Sequence, residues 1–191
     1  MNNETRRSGT ALLVMDIMPA VVPAFGGDEG IFGRLQGAVE AARGASIPVL
    51  FGRVAFRAGY PDVSASNQLF HGLKDMMDFT EDNPATGYHP SVAPQDGDLK
   101  FTKRRISSFA GSDLEVLLRS LEVRHLVLTG VMTSGVVLST LREAADRDYQ
   151  ITVLSDGCAD ADPEVHRVLM EKVFPTQATV TTIGKWAADL A

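Results

Sequence analysis

Cysteine is nearly absent from this chain. One thiol, Cys158, in 191 residues cannot close an internal disulfide, so no disulfide framework holds the fold and a reducing compartment suits it. Long apolar runs are missing as well. The run from Ala11 to Met15 stops at Asp16, too short to span a membrane, and no cleavage site of a secretory leader follows it. A cytoplasmic protein with no membrane partner is the expectation. Positive charge is scarce: 18 Lys and Arg stand against 24 Asp and Glu, a net charge of -6, and the densest basic cluster, Lys100 to Arg105, is short. That balance argues against a nucleic-acid surface. No phosphate loop or dinucleotide glycine fingerprint occurs. The histidines, His71, His89, His125 and His166, fall at no spacing that a metal site needs, so neither metal nor cofactor is expected and the partner is a small molecule.

What is present reads as one α/β domain over residues 1–191. The hydrophobic content of 45% is enough for a full core at this length. Thr10 to Met15 has the unbroken apolar character of a strand buried on both faces. Ile31, Leu35, Ala38, Val39 and Ala42 mark one face of a helix that Gly44 ends, and Pro48 to Val54 is a second strand. From Ala55 to Asp98 turn signals dominate around one short helix near Leu69 to Met77, the kind of segment that forms lids and binding loops. Leu99 to Thr102 delivers Lys103. Ser112 to Glu115 has the pattern of a capping box before a helix carrying Leu114, Leu117, Leu118 and Leu121.

The densest information lies between His125 and Thr140. Leu126 to Leu128 is a strand that Gly130 ends, and Thr133 or Ser134 can cap a helix bearing Val137, Leu141, Ala144 and Ala145. Ile151 to Leu154 is the next strand, which completes a βαβ unit. Asp162, Pro163 and Glu164 open another helix, and Ala178 to Ile183 supplies a sixth strand. Alternation of this kind predicts a three-layer, doubly wound, mostly parallel six-stranded sheet in the order 3-2-1-4-5-6. In that order strands 1 and 4 are neighbours, so Asp16 and the Gly130–Gly135 turn share the crevice at their carboxyl ends.

These residues resemble the isochorismatase-like superfamily, or cysteine hydrolases, which includes isochorismatases, nicotinamidases and N-carbamoylsarcosine amidases. The resemblance rests on Ala11 to Asp16, on Lys103 within the stretch to Phe109, on Gly130 to Val137, and on Asp156 after the fifth strand. It implies that Asp16 and Lys103 belong to a catalytic set. It further implies that a cis peptide joins Val131 to Met132, and that Val131, Met132, Thr133, Ser134 and Gly135 shape an oxyanion turn. The family's nucleophilic cysteine falls at Val136, which has no nucleophilic atom, so the thioester route is closed. Isochorismatases, which also lack that cysteine, are understood to use the aspartate as a general acid.

The expectation is a hydrolase acting without a thiol on a small anionic molecule, with Asp16 as general acid or base beside Lys103. The alternative is a ligand-binding homologue that kept the fold and lost the chemistry. Arg53, Arg57, Arg104 and Arg105 are candidates for holding a substrate carboxylate. Phe25, Phe56, Tyr60 and Phe109, with Arg57, are candidates for lining the pocket. Cys158 reads as a small buried residue, and none of Thr133, Ser134 and Ser139 has a recognisable histidine base. Assembly into a homodimer or homotetramer is expected.

Overall fold

The computed structural model describes residues 9–25 and 30–190. Six strands, β1 (Thr10–Met15), β2 (Val49–Val54), β3 (Leu99–Lys103), β4 (His125–Val131), β5 (Gln150–Ala159) and β6 (Thr179–Thr181), form one sheet in the order β3-β2-β1-β4-β5-β6. Every pairing is parallel. Among the described residues the α-helices are α1 (Gly30–Gly44), α2 (Gln68–Met76), α3 (Leu114–Ser120), α4 (Leu138–Asp146), α5 (Pro163–Val168) and α6 (Ile183–Leu190).

Strand β1 is buried along its whole length, and its side chains alternate between two cores. Ala11, Leu13 and Met15 join one with the α3 and α4 residues Leu118 and Leu141; Leu12 and Val14 join the other with Ile31 and Leu35 of α1 and Trp186 of α6. This explains the absence of polar alternation in the strand. The apolar face read for α1 is the buried one: Ile31, Leu35, Ala38, Val39 and Ala42 all lie inside. Each fully buried Leu or Ile contributes about 1.5–3 kcal/mol by leaving water.

Several boundaries differ from expectation, each for a local reason. Strand β4 does not stop at Gly130 but passes through it to Val131. Gly130 holds φ +146°, and a Cβ there would lie 2.4 Å from the Met15 carbonyl oxygen, so only glycine allows β1 this close. Strand β5 continues past Leu154 to Ala159 through a register shift against β4. Asp156 and Cys158 therefore lie within the strand, with Cys158 opposite Gly130. The last strand is three residues, and Ile183 instead opens α6, whose first N–H is taken by Asp156 Oδ1 at 2.8 Å. The capping box read at Ser112 to Glu115 is not made, since the residue before α3 is Asp113 and it makes no side-chain cap. Ser112 Oγ accepts from the Leu114 N–H, whereas Glu115 turns outward to Arg119.

Candidate active site

The sheet order puts β1 between β2 and β4, and this is where successive crossovers depart to opposite sides. Met15 is level with Gly52 on one side and Gly130 on the other. Asp16 therefore emerges beside the turn that follows β4. Its φ is +56°, a left-handed conformation uncommon for a residue with a side chain. The Asp16 N–H still donates to Gly52 at 2.9 Å, as a continuing strand would. The departure of the chain frees the carboxylate to lie at the sheet's edge.

There Asp16 Oδ2 meets Lys103 Nζ at 2.9 Å, with both side chains more than nine-tenths buried. The ammonium also donates to the Arg105 carbonyl oxygen at 3.0 Å. Asp16 Oδ1 is buried and has no hydrogen-bond partner among the described residues. Burial raises the Asp16 carboxyl above its usual 3.8; the Lys103 charge and the nearby Val54 N–H act against that rise. An unpartnered buried oxygen costs roughly 1–3 kcal/mol, a cost tolerated where the oxygen has another use.

The turn after β4 begins with a cis peptide between Val131 and Met132 and runs through a π-turn from Thr133 to Val137. Neither Thr133 nor Ser134 caps it with a side chain, contrary to the sequence reading. Thr133 is fully buried and its Oγ1 lies 2.8 Å from His166 Nδ1; the Ser134 N–H donates to Asp160 Oδ2 at 2.7 Å. The N–H groups of Gly135 and Val137 go to the Met132 carbonyl oxygen. Ser134 and Gly135 thus have no spare N–H for an oxyanion. Val136 is buried in the core that includes Met15 and Leu128.

The Thr133–His166 pair was not anticipated, because its members are 33 residues apart on different elements. Burial pushes the His166 imidazole below 6.5, with the Asp160 charge opposing, so the ring is neutral at pH 7. In the neutral ring Nδ1 accepts a hydrogen bond from the Thr133 hydroxyl when the proton sits on Nε2, and donates one when it sits on Nδ1. With its folded pKa depressed, His166 contributes stability that is complete above about pH 6.5 and lost as pH falls through the folded value. Urea midpoints measured from pH 7.5 down to 5 should fall in the native protein, and His166→Gln should reduce that slope. An identical slope in the variant would show that other groups set it.

The remaining sequence candidates occupy several different surroundings. Phe56 is fully buried in a separate cluster with Phe70 and Phe79. Arg57 is mostly exposed and paired with Asp62 at 3.1 Å. The Tyr60 hydroxyl donates to Asp78 and accepts from the Phe79 N–H. Phe109 lies under the Arg147 guanidinium, at the end of α4 remote from the turn, so it belongs to the core. The side chain of Phe25 lies outside the described residues. Cys158 is buried and its thiol is pushed up to about 12. Among the described residues no three His, Cys, Asp or Glu side chains group as a metal site, and no helix is long and apolar enough to cross a membrane. A groove of about 300 Å³ lies between α1 and Pro90–Gln95, but neither Asp16 nor Lys103 lines it. An enclosed volume is a weaker pointer to chemistry than a buried, incompletely paired ion pair at the switch point.

The isochorismatase domain profile matches residues 10–185, nearly the whole chain. The chain belongs to the isochorismatase family. Ureidoacrylate amidohydrolase RutB of Methylobacterium radiotolerans is 31% identical over 205 residues, covering 95% of this chain and 77% of RutB. Escherichia coli O157:H7 has an uncharacterised isochorismatase family protein, YecD, that is 27% identical over 190 residues and covers 94% of this chain and 95% of its own. The crystal structure of a cysteine hydrolase from Pseudomonas syringae pv. phaseolicola superimposes with a TM-score of 0.84 at 22% identity. That match covers 100% of this chain and 94% of the other. Membership in this family makes the chain a hydrolase by descent, and the doubly wound fold agrees with it.

Proposed function

We propose that this isochorismatase-family protein hydrolyses a small anionic molecule without a thiol nucleophile, using Asp16 as general acid or base and Lys103 as its electrostatic partner. The observation that carries this reading is the Asp16 carboxylate: one oxygen held by Lys103 at 2.9 Å, the other buried and unpartnered. A carboxyl so placed can pass a proton to or from a bound atom at Oδ1 while Lys103 fixes the group's orientation. Val136 stands where the family carries its cysteine, so no covalent thioester forms and water completes the reaction. RutB cleaves an amide, as its name states, which makes small amides and ureido acids the first compounds to try.

The reading requires thiol independence. With any substrate found in a screen of such compounds, iodoacetamide treatment and Cys158→Ala should each leave kcat/KM within about twofold of the native value, because a thiol pushed to about 12 is almost wholly protonated at neutral pH. Loss of activity on both would move the chemistry to β5 and end the proposal.

A further inference from the structure

We propose that Arg53 anchors a carboxylate of the substrate, beside Asp16 at the carboxyl edge of β2; this rests on the reading of Asp16 given above. Four arginines cluster around this edge in sequence, and the structure separates them. Arg57 and Arg104 share the Asp62 carboxylate, and Arg104 also reaches Glu81. Arg105 donates to the Asp62 and Arg104 carbonyl oxygens, which ties it to the same acidic knot. Arg53 alone of the four stands apart from that knot, half-buried and with no carboxylate partner among the described residues.

Its bonds leave the useful part of the guanidinium uncommitted. Nε donates to Thr102 Oγ1 at 3.2 Å and one Nη1 hydrogen to the Thr86 carbonyl oxygen at 3.3 Å. Of a guanidinium's five N–H groups, two are thus spent on neutral acceptors and three remain, on Nη1 and Nη2. Those two nitrogens form the end-on fork that matches the two oxygens of a carboxylate. Burying such a cation without a counter-charge is costly, and an anionic ligand would remove the cost.

Position relates Arg53 to the chemistry. Met15 is level with Gly52, so Asp16 and Arg53 are the residues that follow a paired position on adjacent strands, which lie roughly 5 Å apart. The segment from Thr86 to His89 is stitched to both: Thr86 accepts from Arg53, and the His89 N–H donates to Ile17, the residue after Asp16, at 2.9 Å. Tyr88, within that segment, has its phenol pushed up to about 12, first by burial. Arg53 pulls it down, and Asp113 and Asp16 push it up.

The test uses matched acid and amide probes (benzoate and benzamide, nicotinate and nicotinamide, pyruvate and pyruvamide) titrated calorimetrically into the native protein, Arg53→Gln, Arg53→Lys and Asp16→Asn. The native protein should bind at least one acid more tightly than its amide. Arg53→Gln should weaken that acid about tenfold or more, and Arg53→Lys, which keeps the charge but loses the fork, should fall between. Asp16→Asn should bind the acid more tightly, because a neighbouring negative charge is gone. Acids bound no better than amides by the native protein, or acid affinity unchanged in both Arg53 variants, would overturn the anchor. The two proposals fail separately: an anchor that holds alongside full turnover in Asp16→Asn would remove the catalytic reading alone. If Arg53→Gln does not fold, Arg53→Lys decides.

Discussion

Asp16→Asn is expected to lower hydrolysis by about 100- to 10,000-fold while the protein remains folded, the range a positioned general acid or base contributes. Asparagine preserves the shape of the side chain and can still accept from Lys103 through its amide oxygen. What it loses is the exchangeable proton at Oδ1, the oxygen that is buried and unpartnered in the native protein. The pH profile distinguishes the two roles. Burial raises the Asp16 carboxyl above 3.8, so its limb in kcat/KM should lie above that value. As a general acid the protonated form is active, and the rate falls as pH rises through the raised pKa. As a general base the rate rises instead. Unchanged kcat/KM in the variant, measured on the same substrate, would exclude Asp16 from the chemistry and favour a homologue that only binds ligands.

The two polar members of this site were legible because each sits at the end of an apolar run whose strand character is unmistakable. Thr10 to Met15 is inaccessible to water on both faces, and no helical or alternating pattern competes with that reading. Once β1 and β4 are neighbours, the placement of Asp16 beside the 130–136 turn is forced by the fold. The Thr133–His166 and Ser134–Asp160 contacts were not legible. They join the turn to the segment after β5, and neither periodicity nor turn chemistry encodes which side chain will reach across a crossover. The aromatics at strand ends were ambiguous for a related reason. Phe56 and Phe109 follow strand ends, where a core role and a crevice role have the same local pattern, and tertiary packing took both into the interior. Helix α6 was hidden because Ile183 reads as the tail of a β-branched run; the Asp156 carboxylate on its N–H decides for the helix.

Lys103→Met is expected to cost about 3–5 kcal/mol of folding stability at neutral pH, the loss that follows when one member of a buried ion pair is removed. Solvent does not soften this estimate, since the side chains of Lys103 and Asp16 are 2% and 8% exposed. Methionine fills the space of the lysine stem, so the loss is electrostatic more than steric. It should also depend on pH in a defined direction. Without the ammonium, the strongest influence opposing the burial of Asp16 is gone, and its folded pKa rises further above 3.8. A group with a raised folded pKa holds its proton more tightly in the folded state. The variant should therefore be least impaired below about pH 4, where the carboxyl is neutral in both states, and lose stability as pH rises through the folded pKa. Asp16→Asn combined with Lys103→Met removes both charges and should recover most of the loss, giving a coupling energy that urea unfolding of the two single variants and the double variant measures directly. A loss below about 1 kcal/mol, the level of a solvated surface pair, would contradict a buried Asp16–Lys103 pair. So would a double variant no more stable than Lys103→Met, because the carboxylate left behind is the stated source of the cost.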